Sequence, residues 1–253
     1  MRPGDSVQIR EQLAAKFAPA TVNRCLTAFR CVLREEWRAN HLTDEQLKRL
    51  VDVRGVKLDQ LPGHAAMRSD LERLLSLCEL DASPAGARDA AVIALLFGAG
   101  LRRAEAAALD MTDFLAGGEL RVVGKGNYPA IATLGAGLPW VERWLDVRGR
   151  GPGPLLCRMS TTGELTNEPI GGAAVGAVVK KRVLAAGLSL KVTAHSLRRA
   201  FASALLRAGY DHLMVARALR HRDMRSVQRY DGRSDFERAL AVRAAITVPA
   251  PGR

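Results

Sequence analysis

From Thr21 to Ala39 an apolar side chain recurs every three or four positions, at Val22, Leu26, Phe29, Leu33 and Trp37. That spacing puts all five on one stripe of an α-helix, with Thr21 placed to cap its first turn. Asp44 to Val53 repeats the pattern over a shorter length, and Ser6 to Phe17 offers a third helical stretch. The pattern breaks at Val56 to His64, where Leu61-Pro62-Gly63 punctuates the chain, so a first domain is predicted to end near residue 62. Beyond it, Ser69-Asp-Leu-Glu72 fits a capping box that opens a helix with Leu71, Leu74, Leu75 and Cys78 turned inward. Ala87 to Phe97 reads as the next helix, interrupted by Gly98-Ala99-Gly100. A further helical stretch begins near Arg103, which puts Arg102 at a turn between helix ends, from which a guanidinium can be aimed outward.

The period then changes from helical to alternating. Glu119-Leu-Arg-Val-Val123 and Ala130-Ile-Ala-Thr-Leu134 flank Gly124-Lys125-Gly126, which predicts a β-hairpin with Lys125 at its tip. It is the one clear strand signal. Arg148 to Pro154, rich in glycine and proline, reads as an exposed loop, and Gly172–Ala186 and Leu197–Ala208 read as helices. Gly209 ends the latter, Asp211 caps a helix that stops at Arg220-His221, and a short helix from about Asp223 carries Tyr230. The fold class expected is mainly α with a small β-hairpin, in two domains, 1–62 and 63–253, without internal repeats.

The chain of 253 residues is 48% apolar, ample for buried cores. No apolar run approaches the ~18 to 20 residues of a membrane span, and Met1-Arg-Pro-Gly-Asp-Ser is not followed by a signal-type apolar stretch, so a soluble, cytoplasmic protein is expected. Cys25, Cys31, Cys78 and Cys157 are scattered, with no CxxC pair, which suggests reduced thiols and neither a disulfide framework nor a zinc site. Charge changes the picture more. The net charge is +12, and residues 180–233 hold thirteen Lys and Arg against three Asp, so most of the excess lies in one segment. Such a segment suits a polyanion, because cationic side chains that neutralise phosphates release condensed counterions.

That basic segment also holds the candidate chemistry. His195 and Arg198 are three apart at the start of a predicted helix, so they share a face and can address one anionic group. Arginine supplies a planar fork matched to phosphate oxygens, and a helix N-terminus adds backbone donors. Taken alone, His-x-x-Arg is more often a structural histidine and a surface arginine. Leu219-Arg-His221 and Gln228-Arg-Tyr230 follow in order, and Gly100-Leu-Arg102-Arg-Ala-Glu105 and Val123-Gly-Lys125-Gly lie upstream. Two nucleotide-binding readings of these glycines fail. Gly98-Ala-Gly100 has Arg103 where a dinucleotide turn wants glycine or alanine, and Gly124-Lys-Gly126 lacks the spacing of a phosphate-binding loop.

In these ordered residues the chain resembles the tyrosine recombinases, the site-specific integrases, over roughly residues 64–248. The resemblance implies a short helical core-binding domain over 1–62 and a catalytic domain over 63–253. It also implies an active site of Arg102, Lys125, His195, Arg198, His221 and the nucleophile Tyr230. The implied reaction is transesterification: the Tyr230 hydroxyl attacks a scissile DNA phosphate, forming a 3′-phosphotyrosyl bond and freeing a 5′-hydroxyl. Ionising a tyrosine at pH 7 costs about 4 kcal/mol, and expelling an unprotonated alkoxide costs far more, so acid help should outweigh base help. Lys125 is then the acid for the leaving oxygen and His195 the base or hydrogen-bond partner of the nucleophile. Arg102 and Arg198 clamp the non-bridging oxygens, and His221 donates to the same oxygens. No metal, other cofactor or ATP is called for.

The implied partner is double-stranded DNA, gripped by a homo-tetramer on two DNA sites that is a monomer when free, in a bacterial cytoplasm and associated with the nucleoid. A mobile genetic element or a chromosome system would be served. Type IB topoisomerase-like relaxation and a DNA-binding protein that kept the fold without catalysis are the competing readings. Glu105 could orient Arg102 or a neighbouring histidine, or be an ordinary surface residue. The sequence departs from the family pattern at Arg220, where glycine is common, at Ala194, where proline is common, and at Tyr128-Pro129, where basic residues are common. The amino-terminal part is short for a core-binding domain, being either compact or preceded by more chain in a longer reading frame. Tyr128 and Tyr210 are the alternative nucleophiles, with packing as their default role. Phe236, Leu240, Ala244 and Val248 form a tail stripe that packs into a neighbouring protomer or back on its own domain.

Overall fold

The computed structural model describes residues 3–57, 65–124 and 129–220. Two compact units divide the chain, Met1–Leu61 and Pro62–Arg253. In the first, three helices pack on one another: α1 (Pro3–Lys16), α2 (Pro19–Arg38) and α3 (Asp44–Val51). The start of α2 is set by Pro19 and not by Thr21, because proline's fixed φ suits the first helical turn and its missing N–H has no partner there anyway. Of the apolar stripe on α2, Val22, Leu26 and Leu33 are buried, while Trp37 near the helix end is exposed and donates its Nε1–H to Asp44 Oδ1 at 2.6 Å. Thr43 and Gln46 form a reciprocal capping box that starts α3. The Asn23 side chain closes the unit by exchanging two 2.8 Å bonds with the backbone of Val56.

The second unit is built around α5 (Pro84–Gly98), whose residues from Ala87 to Leu96 are all buried. A helix apolar on every side belongs in a core. It is surrounded by α4 (Arg68–Leu80), α7 (Leu138–Arg148), α8 (Gly172–Ala185) and α9 (Ala194–Arg207). Helix α4 starts one residue before the predicted capping box, with the Asp70 carboxylate accepting the Met67 N–H at 2.9 Å. The short α6 (Arg103–Ala107) packs on α8, and α10 (His212–Ala218) on α9. No helix among the described residues is long and apolar enough to cross a membrane.

Strands β1 (Glu119–Val123) and β2 (Pro129–Thr133) form the antiparallel hairpin that alternation predicts, in register Glu119 to Thr133 and Val123 to Pro129. Leu120, Val122 and Ala132 face the core. A second antiparallel pair, β3 (Cys157–Met159) and β4 (Leu165–Pro169), corrects the expectation of a single hairpin. Leu165-Thr-Asn-Glu-Pro169 shows no alternation of apolar residues, so only its pairing with β3 makes it a strand.

Beneath α5 lies a buried ionic network. Fully buried Asp89 accepts from Arg88 Nη2 at 2.7 Å and from Arg182 Nε at 2.7 Å, while Arg182 Nη2 reaches Asp81 at 2.6 Å. Hydrogen bonds from Ser83 and Arg182 pull the Asp81 pKa down to about 2, so this stabilisation is complete above about pH 4 and is lost as pH falls toward 2. Asp89→Ala leaves Arg88 without its anion and Arg182 with Asp81 alone, and is expected to cost about 3–5 kcal/mol. Urea unfolding measures this directly. A loss below about 1 kcal/mol would show that the network is not the hinge of α5–α8 packing.

Candidate active site

Helix α5 ends at Gly98, and the chain turns through Gly100 at φ +58°. A Cβ there would stand 2.5 Å from Phe201 Cδ1, so both backbone angle and space require glycine. The turn delivers Arg102 to the position just before α6. Its backbone N–H donates to Glu105 Oε2 at 2.9 Å and its Nη1 to Glu105 Oε1, so the carboxylate at the third helical position takes both the backbone and the side chain of the residue that precedes α6. Glu105 therefore orients Arg102, one of the roles its spacing allowed.

Thr193 caps α9, accepting the Ser196 N–H at 3.2 Å, and the Ser196 hydroxyl accepts the Thr193 N–H at 3.0 Å. This fixed start sets His195 on the exposed side and buries Arg198 one turn later. Arg198 donates from Nη1 to the Gly100 carbonyl and from Nη2 to the Leu219 carbonyl, and its Nη1 stands 3.5 Å from Glu105 Oε2. Two carbonyls from distant turns thus hold the guanidinium in place. The two arginines differ in access: the Arg102 side chain keeps 35% of its surface open, whereas Arg198 is 2% exposed.

A third guanidinium joins them. Arg220 donates from Nη2 to Glu105 Oε2 at 3.0 Å and to the Gly100 carbonyl at 3.0 Å. Burial by itself disfavours the Glu105 charge, but the Arg102 N–H and the charges of Arg220 and Arg198 outweigh it and hold its pKa below the ordinary carboxylate range. The carboxylate is ionised at neutral pH. His195 is shifted the opposite way for a base: surrounding protein displaces part of its water, and the guanidiniums of Arg199, Arg198, Arg102 and Arg103 repel a proton, so its pKa falls below the usual histidine value. At pH 7 the ring is neutral and able to accept a proton.

Of the predicted site residues, Arg102 and Arg198 meet at Glu105, and His195 lies within electrostatic reach of both arginines. Lys125, His221 and Tyr230 lie outside the described residues. Arg220 is the member that sequence reasoning undervalued. The signal was its position before His221, where glycine is common, and φ +55° at Arg220 supplies the reason for that preference.

The chain that builds this cationic cluster matches a known family over most of its length, the phage integrase family model aligning with residues 67–236. The chain belongs to the phage integrase family. Among curated relatives, the tyrosine recombinase XerC of Salmonella typhi is 30% identical over 197 residues, covering 75% of this chain and 63% of the relative. XerC of Haemophilus ducreyi is 30% identical over 206 residues, covering 79% and 66%. The integrase-family chain thus spans a little under two thirds of the length of these relatives. Solved structures share its fold. The XerH site-specific recombinase bound to palindromic difH substrate, a post-cleavage complex, superposes with TM-score 0.75 at 20% identity, over 96% of this chain and 69% of that one. The Tn1549 transposon integrase in complex with transposon right end DNA gives 0.74 at 16% identity, over 97% and 86%.

Proposed function

We propose that this chain is a site-specific DNA recombinase that cuts and rejoins strands through a 3′-phosphotyrosyl intermediate. The observation that carries the reading is the Arg102–Glu105–Arg198 cluster, with His195 one turn before Arg198 on α9, in a family match that runs on through His221 and Tyr230. The Tyr230 oxygen attacks phosphorus as the bond to the 5′-oxygen breaks. His195 takes the phenol proton, and Lys125 gives one to the leaving oxygen. Arg102 and Arg198 meet the charge that grows on the non-bridging oxygens, since five N–H donors let an arginine hold protein carbonyls and an oxyanion together. Returning attack by a 5′-hydroxyl releases the tyrosine, so the joint needs no ATP, and two guanidiniums supply the charge that a metal would otherwise bring.

The partner is duplex DNA, engaged by a tetramer on two sites, in the bacterial cytoplasm with the nucleoid. The experiment is a duplex carrying a nick just beyond the cut, whose short product diffuses away and traps the intermediate. A denaturation-resistant protein–DNA adduct mapping to the Tyr230 peptide is expected, and recombinant joints from intact sites. Binding without adduct would make the chain a non-catalytic DNA binder, and relaxed circles without joints would make it a type IB topoisomerase.

A further inference from the structure

Arg220 sits at φ +55°, in the left-handed region where a Cβ crowds the following carbonyl and glycine is favoured. The side chain that stands there is no surface ornament. It is 5% exposed and makes three hydrogen bonds, from Nη2 to Glu105 Oε2 and the Gly100 carbonyl, both 3.0 Å, and from Nη1 to the Ala218 carbonyl at 2.9 Å. Two of those acceptors, Gly100 O and Glu105 Oε2, are also the ones that Arg198 Nη1 faces. One carboxylate therefore ties three arginines, from the turn before α6, from α9 and from the residue that follows the last turn of α10.

The distances divide the work. Arg220 takes Glu105 Oε2 at 3.0 Å, and Arg198 stands off at 3.5 Å. A carboxylate without Arg220 would turn to the next cation, Arg198, and compete with a phosphate for it. Three guanidiniums against one carboxylate leave an excess of positive charge at the place where an anion is to be held.

We propose that Arg220 is a positioning residue for strand cleavage, which takes up Glu105 Oε2 and the Gly100 carbonyl so that the carboxylate competes less with the scissile phosphate for Arg198. The inference rests on the recombinase reading. It is tested with wild type, Arg220→Gly and Arg220→Lys on the nicked duplex, once with an ordinary scissile phosphate and once with a methylphosphonate, in which a methyl group replaces one charged oxygen. Arg220→Gly is expected to bind DNA within about threefold of wild type and to cleave the ordinary substrate about 10–100-fold more slowly. On the methylphosphonate the gap should close to about threefold or less, because the aim of the guanidiniums matters less when that charge is gone. Arg220→Lys should fall about tenfold short of wild type, one ammonium being unable to bridge both acceptors.

Arg220→Gly cleaving the ordinary substrate at the wild-type rate, or losing equally on both substrates, overturns the proposal. Should the glycine variant not fold, the lysine variant carries the same two-substrate comparison. Wild type that forms no adduct on either substrate overturns the recombinase reading and this inference together, whereas an active wild type with an unimpaired Arg220→Gly overturns this one alone.

Discussion

Arg198→Ala is expected to slow strand cleavage by roughly 10³-fold, the upper end of what losing one donor to a developing oxyanion costs, because here the donor is also charged. Arg198 is held by the Gly100 and Leu219 carbonyls, which join the turn before α6 to the end of α10. Removing it empties the centre of the cluster and takes a donor from the Leu219 carbonyl, while the Gly100 carbonyl keeps Arg220. Part of the loss is therefore positional, and Arg198→Lys, which keeps the charge but cannot span both carbonyls, should recover only a small part of the rate. The pH profile separates this from unfolding. Arg198 is one of the cations that lower the His195 pKa, so without it that pKa rises and the acid limb of the cleavage rate moves to higher pH. Single-turnover cleavage from about pH 5 to about pH 9 reads both effects. A rate within tenfold of wild type, with an unmoved acid limb, would remove Arg198 from the chemistry.

Tyr230→Phe is expected to abolish the covalent adduct altogether while leaving DNA affinity within about threefold of wild type. On the proposed mechanism the variant lacks the one oxygen atom that becomes bonded to phosphorus, and no amount of electrostatic help replaces a missing nucleophile. A small residual rate from water attack would yield nicked DNA without attached protein, and denaturing gels distinguish the two. Tyr210 provides the internal control: it is exposed just past the end of α9, and Tyr210→Phe should cleave like wild type. An adduct that survives Tyr230→Phe and vanishes with Tyr210→Phe or Tyr128→Phe would move the nucleophile and dismantle the assignment.

The helices were legible where period and boundary signals agreed. Val22, Leu26 and Leu33 are buried on α2, and Asp211 caps α10 by accepting the Met214 N–H at 2.7 Å, both as the sequence implies. Boundaries moved where proline outweighed a cap residue, as at Pro19. The pair β3–β4 was not legible, since its strands are short and one of them carries Thr, Asn and Glu where alternation would need apolar residues. The site was half legible. Arg102, His195 and Arg198 were named through the resemblance to the tyrosine recombinases, but nothing local says that Arg198 is deeply buried with its donors on Gly100 and Leu219, or that Arg102 stays open.

Residue order by itself determined most of the helices, the first hairpin, the family and the identity of the cationic side chains, because those depend on local periodicity and on ordered motifs a few residues long. Only the tertiary structure decided that Glu105 gathers Arg102, Arg198 and Arg220. These partners lie 93 and 115 residues from the carboxylate in the two long-range cases, so the approach is fixed by how α5, α6, α9 and α10 pack, and packing of distant segments is not written in any local window.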